Sequence, residues 1–356
     1  MDLLHYRAGP RALARLRAGG FGPTDLQALI LPATGPRWLL SSGFDRALLE
    51  QGWLSRENHH VLLLGASAGA WRALALASRD PARTYAALIE GYCTKHFTFD
   101  DDPRTISQSY ADLLSKVFSR ADVEHALSHP TLDLAIIAAR TRGLDRVAAR
   151  WMEHLVLGSA ALLNFASTRA AQLLFERTVF HARAGRATAH PIAASLRGTR
   201  YALTADNFHA AALASGTVPL YMQPVTGIAN ATPGAYLDGG LCDYHLNQTL
   251  ELQQGVALLF LHQANVIPAW LDQFVPWRKA EPGMFSNVVL AYPSPEFVRT
   301  LPGGVVPSRG DFKTFMNDPQ ARFARWRGAV SMSSALGEAF LEDVASGALG
   351  RRVEQI

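Results

Sequence analysis

The segment Gly65-Ala-Ser67-Ala-Gly69 carries the sharpest chemical signal in the chain. It fits the pattern G-x-S-x-G, in which a serine stands on a tight turn between a strand and a helix. The flanks agree with that placement. Val61-Leu-Leu-Leu64 is a continuous apolar run suited to a buried parallel strand, and Ala70 to Ser78 reads as an Ala/Leu-rich helix stopped by Asp80-Pro81. On such a turn Ser67 projects into the open, while Gly65 and Gly69 let strand and helix close on each other. The start of the helix beneath the serine favours developing negative charge, and the Ala68 N–H is placed to donate to an oxyanion. A Gly/Ala/Ser-rich turn without chemistry has the same composition; the strand and helix on either side set this one apart.

A serine hydroxyl is a weak nucleophile until a base takes its proton. Asp238-Gly239-Gly240 follows the short strand ending at Tyr236-Leu237, so its carboxylate is expected at a strand's C-terminal end, the edge where open α/β sheets bind ligands. Gly239 and Gly240 let the backbone turn at once and leave room beside the carboxylate. Alone, D-G-G is also a common hairpin turn. Two of the twelve histidines offer another base: His262 follows the strand Val256 to Leu261, and His245 lies just beyond Asp238, giving the chain order of a Ser-Asp-His triad. His59-His60 has no metal-ligand spacing, and Asp100-Asp-Asp102 before Pro103 reads as a solvated turn. No phosphate loop or dinucleotide fingerprint appears, so neither metal nor cofactor is expected.

The surrounding elements alternate. Strands are expected at Leu26 to Leu31, Val61 to Leu64, Arg200 to Thr204, Tyr236-Leu237, Val256 to Leu261 and Val288 to Ala291. Helices are expected at Phe44 to Gln51, Ala70 to Ser78, Phe208 to Ser215 and Ala321 to Ser346. Residues from about Thr105 to Arg186 read as a mostly helical insertion or cap. Such alternation implies an α/β fold, a mainly parallel sheet flanked by helices. The whole of 1–356 reads as one domain.

With 49% hydrophobic and 18% charged residues, the chain can bury a sizeable core, which excludes global disorder. The net charge of +4 is spread without a dense Lys/Arg block, which argues against nucleic-acid binding. The basic residues, mostly Arg, suit an ordinary solvated surface or contact with anionic lipid headgroups. Two cysteines, Cys93 and Cys242, make no disulfide framework and fit a reduced, cytoplasmic setting. Met1 to Gly20 lacks the apolar stretch of a secretory signal. Leu155 to Phe180 is apolar but contains Asn164, Arg169, Gln172, Glu176 and Arg177, which oppose a membrane span.

The pairing of G-x-S-x-G with a much later D-G-G resembles the patatin-like phospholipases. Ala211-Ala-Leu-Ala-Ser215-Gly-Thr-Val-Pro219-Leu-Tyr-Met-Gln-Pro224-Val225, followed by Tyr236-Leu-Asp-Gly-Gly-Leu241, is similar to that family's approach to its catalytic aspartate. The likeness runs from about Leu26 to Asn247 and is weak from about 248 to 356. It implies a three-layer α/β/α fold and a lipid acyl hydrolase with a Ser-Asp dyad, Ser67 as nucleophile and Asp238 as base. The helical stretch 105–186 would then line an acyl pocket or serve as plain core packing, and peripheral membrane contact would follow from an insoluble substrate. The family's glycine-rich oxyanion loop, G-G-G-x-R/K-G, corresponds to Ala33-Thr-Gly35-Pro-Arg37-Trp38. Gly35 and Arg37 agree; Ala33, Thr34 and Trp38 depart. The resemblance implies an oxyanion hole from Thr34, Gly35, Arg37 and Ala68; Trp38, at a departing position, would narrow the acyl site or alter its specificity. After the aspartate, Asp243-Tyr-His-Leu-Asn247 replaces the family's Asn-x-Pro-like run. Two other classes share parts of the pattern. An acyltransferase of related sheet has His directly before the serine, where this chain has Ala66. A degenerate domain that binds lipid or a partner protein without catalysis would fit the altered loop.

Overall fold

The computed structural model describes residues 2–57, 59–142, 150–167, 173–185, 189–245, 248–275 and 277–356. Asn247, Arg169 and Gln172, and 143–149, 168–172 and 186 of the expected helical insertion, lie outside them.

Among the described residues ten strands form one mixed, mostly parallel sheet. They are β1 (Leu4–Ala8), β2 (Leu26–Leu31), β3 (Val61–Ala66), β4 (Leu132–Thr141), β5 (Phe175–His181), β6 (Thr199–Ala202), β7 (Tyr236–Asp238), β8 (Val256–Phe260), β9 (Val288–Pro293) and β10 (Glu354–Gln355). Their order is β10-β1-β9-β8-β2-β3-β4-β5-β6, with β7 paired to β4 off that path. Pairings are parallel except β1 with β9, β4 with β5 and β4 with β7.

The central strands are apolar throughout because both sheet faces are covered. Leu63 and Leu134 face one hydrophobic cluster, and Leu62, Leu64 and Ala135 face the other. Each fully buried leucine contributes about 1.5–3 kcal/mol over its exposed state. The first cluster is roofed by the helices α1 (Pro10–Arg17), α2 (Ser42–Glu50) and α3 (Ala68–Leu76) and by the long helix Pro319–Ala345. A short helix, Pro191–Ser195, a 3₁₀ turn, Pro282–Phe285, and loop residues such as Leu250 and Leu252 cover the second. The chain therefore has the three-layer α/β/α arrangement, as expected. Its C-terminal part belongs to the same sheet, since β8 and β9 join β2 to β1.

The expectation of a mostly helical 105–186 needs correction. Helices occur at Pro103–Val117, Arg120–Leu127 and Arg150–Ala166, but β4 and β5 lie between and after them, within the sheet. Leu132-Asp-Leu-Ala-Ile-Ile-Ala-Ala139 is buried on both faces and so shows neither a period of 2 nor of 3.6. β1 escaped notice in the sequence for a different reason: it is five residues long, and only Leu4, Tyr6 and Ala8 point inward.

Candidate active site

Local sequence builds the serine turn. β3 ends at Ala66 and α3 begins at Ala68, leaving Ser67 between them at φ 56°, ψ −131°. A non-glycine residue held at positive φ costs on the order of 1–3 kcal/mol and persists where its surroundings enforce it. Close packing enforces it here. A Cβ on Gly69 would lie 1.8 Å from the Leu31 carbonyl oxygen, and one on Gly65 would lie 2.6 Å from Ala70 Cα. α3 is anchored by Arg72, whose guanidinium donates twice to the buried Asp45 carboxylate of α2, at 2.7 and 2.8 Å. Ser215 holds the turn from the far side. Its Oγ accepts the Ser67 N–H at 2.9 Å and donates to the Ile137 carbonyl of β4 at 2.6 Å. In the sequence Ser215 marks the end of the expected helix Phe208 to Ser215 and lies in the segment that resembles the family, with nothing to show that its hydroxyl meets the serine turn.

Asp238 reaches the serine from the opposite direction. Along one edge of β4, β3 pairs in parallel as far as Ala66 opposite Ile137. β7 continues that edge antiparallel, ending at Asp238 opposite Ala138. The two strands meet nearly end to end, so Ser67 Oγ donates to Asp238 Oδ2 at 2.6 Å. The aspartate thus faces the C-terminal edge of the parallel strands rather than standing in line with them. Its other oxygen, Oδ1, accepts the Gly240 N–H at 2.7 Å. Gly239 passes so close to β4 that a Cβ would lie 2.2 Å from the Ile137 oxygen. Both side chains are buried. Burial pushes the Asp238 carboxyl up to about 6, opposed by the Ser67 donation, the Gly240 N–H and the charge of Arg309.

The expected oxyanion residues divide. Ala68 is the first residue of α3 and Gly35 the first of a 3₁₀ turn, Gly35–Ser41, so neither N–H has a partner within its own helix. Gly35 and Ser67 line one cavity of about 10 Å³, room for about one water molecule. Thr34 departs from expectation: its N–H turns back onto the Pro32 oxygen at 3.1 Å. Arg37 is half-buried, and its charge acts on the buried rings of Tyr244, His245 and His262. Trp38 does not narrow the cavity. It lies in the core, edge-on to Tyr85 and Tyr92, because the 3₁₀ turn carries it under the sheet.

The cavity wall is completed by Ala33, Val218, Pro219, Leu241, Tyr244, Trp270 and Arg309. Among the described residues none from 105–186 lines this small cavity. Tyr244, Trp270 and Arg309 carried no sign in the sequence. The departure after the aspartate has a structural use: the Tyr244 carbonyl accepts the Ala33 N–H at 2.7 Å, and Asp243 pairs with Arg177 of β5. His245 Nδ1 accepts the Ile267 N–H at 3.0 Å. Burial, with Arg37 nearby, pushes His262 down to about 3 and moves His245 down as well, its neighbour His262 adding to the shift. Cys93 and Cys242 are both buried. Among the described residues no group of His, Cys, Asp and Glu is arranged to hold a metal ion, and no helix is long and apolar enough to cross a membrane.

The structure thus joins a three-layer α/β/α sheet, a serine on a strand-to-helix elbow and, hydrogen-bonded to it, a carboxylate from a D-G-G turn. A model of the patatin-like phospholipase family matches residues 40–245, more than half of the chain, and the chain belongs to that family. A search of curated proteins finds no match. The matched range contains Ser67 and Asp238 and begins after the loop Ala33 to Trp38.

Proposed function

We propose that this protein is a lipid acyl ester hydrolase, of the phospholipase A, lysophospholipase or esterase type, working through Ser67 and Asp238. The observation that carries this reading is the 2.6 Å hydrogen bond from the buried Ser67 hydroxyl to the buried Asp238 carboxylate. Ser67 Oγ attacks the ester carbonyl while its proton passes to Asp238. The tetrahedral oxyanion collapses, the departing alcohol takes that proton, and an acyl-Ser67 ester remains. Water then attacks the acyl carbon, giving a proton to Asp238, which returns it to Ser67 as the fatty acid leaves. The N–H groups of Ala68 and Gly35 serve both oxyanions, each such donor being worth about 10²–10³ in rate. The carboxylate needs no histidine because its raised pKa brings it close to neutral pH, where a general base works best.

The cavity over the dyad is smaller than any acyl chain, so its wall must open for substrate to enter. Trp270 stands beside Phe274, with ring centroids 5.9 Å apart, and exposed Phe165 packs on exposed Trp277 at 5.2 Å. With exposed Leu162 these residues form an apolar rim that supports peripheral contact with a lipid surface. A fluorophosphonate probe tests the chemistry: it labels wild type and spares Ser67→Ala. Acyl release from phospholipids, lysophospholipids, glycerides and p-nitrophenyl esters by the same pair then identifies the substrate class. Labelling of neither protein would favour a binding domain without catalysis.

A further inference from the structure

The cavity that holds the dyad also holds a cation. Arg309 lies in the wall with Ser67, Asp238 and Gly35, although it belongs to the C-terminal part, well beyond the segment matched by the family model. Its Nη2 stands 3.9 Å from the place a Cβ on Gly35 would occupy. The most deeply buried arginines have partners: Arg72 with Asp45, Arg177 with Asp243, Arg183 with the His129 carbonyl and Arg322 with the Cys93 and Lys95 carbonyls, while Arg140 and Arg278 pair with Glu176 and Asp272. For half-buried Arg309 no described residue supplies an ion pair or hydrogen bond to the guanidinium. A partly desolvated guanidinium held unpaired at a nucleophile gains most when negative charge develops beside it.

The glycine loop shows why such a donor is needed. Thr34, where the family pattern has glycine, spends its N–H on Pro32, and Pro36 has none to give. Gly35 is left as the loop's donor, and Arg309 stands against it. Arg309 lines the same small cavity as Ser67, so its charge is available where the oxyanion forms, and the substrates below separate that role from recognition of a permanent anion.

We propose that Arg309 is a catalytic residue of the Ser67–Asp238 reaction, its guanidinium donating to the tetrahedral oxyanion in place of the donor the altered loop lacks. The inference rests on the hydrolase reading above. In the reaction it donates hydrogen bonds only; no proton leaves it, since guanidinium stays charged.

The test is steady-state hydrolysis of a neutral ester, p-nitrophenyl butyrate, and of an anionic one, p-nitrophenyl hydrogen succinate, by wild type, Ser67→Ala, Arg309→Met and Arg309→Lys, with thermal melting as a check on folding. The expected result is a 10²–10³-fold fall in kcat for Arg309→Met, equal on both esters, with KM changed little and with partial recovery in Arg309→Lys. Loss confined to the anionic ester, appearing as a raised KM, would overturn the role in favour of an anion-recognition site. Turnover that depends on Ser67 but is indifferent to both Arg309 variants overturns the role alone. Turnover that is equal in wild type and Ser67→Ala overturns the hydrolase reading and this role with it.

Discussion

Replacing Asp238 by Asn separates function from stability, because the structure sets the two in opposition. The amide keeps the shape of the carboxyl and can still accept the Gly240 N–H, so the turn is expected to survive. It cannot take the Ser67 proton. Loss of a positioned general base lowers rates by about 10²–10⁴, and kcat should fall by that much. Stability should move the other way. Folding raises the Asp238 carboxyl from its ordinary 3.8 to about 6, so the folded state holds the proton more tightly than the unfolded chain does. Below pH 3.8 both states are protonated and the aspartate costs nothing. As pH rises through 6 the folded state must carry a buried charge, at a cost approaching roughly 3 kcal/mol for a shift of this size. Asp238→Asn removes that cost. Urea denaturation at pH 7.5 should therefore show the variant more stable by up to about 3 kcal/mol, with the gain shrinking toward pH 4. The wild-type kcat/KM should rise about tenfold per pH unit up to an apparent pKa near 6 and then level off. A variant with wild-type turnover, or a stability gain equal at pH 4 and pH 7.5, would refute the reasoning.

Other perturbations test the scaffold. Gly69→Ala puts a methyl group 1.8 Å from the Leu31 oxygen, and a loss of about 3 kcal/mol or more is expected in chemical denaturation. Ser215→Ala leaves the Ser67 N–H and the Ile137 oxygen buried without their partner. It should cost about 1–3 kcal/mol and lower kcat by up to about 10², since the nucleophile loses its alignment. Asp45→Ala strands the buried Arg72 guanidinium, and a destabilisation of about 3–5 kcal/mol should appear in the same assay. On the proposed Ser67–Asp238 mechanism His262→Ala should keep most of the turnover; loss of activity in a folded variant would point to a Ser-Asp-His mechanism instead.

Short-range order explains what was readable in the amino-acid sequence. Val61 to Leu64, the G-x-S-x-G turn and the Ala-rich helix after it are contiguous, and each residue type there answers a local need: burial, a tight turn, a helix start. The same holds for Leu26 to Leu31, for the helix Phe208–Ser215 and for the D-G-G turn. The serine was thus recognisable by itself and the aspartate through its pairing with the serine motif, as were the parallel strands around β3.

Their meeting was settled only by tertiary structure. It depends on β7 running antiparallel along the edge of β4 that β3 vacates at Ala66, a pairing between segments about a hundred residues apart for which no local periodicity speaks. β4 itself looked helical because burial on both faces erases the alternation that marks a strand. Trp38 looked like part of the acyl site because it neighbours the oxyanion loop in the chain, whereas the 3₁₀ turn carries it into the core. Arg309 had no readable role, since a guanidinium becomes special only when the fold sets it unpaired beside a nucleophile. The sequence determined which residues have the chemistry; long-range strand pairing determined which of them share one buried space, because hydrogen bonding acts over about 3 Å and only the folded sheet brings distant residues that close.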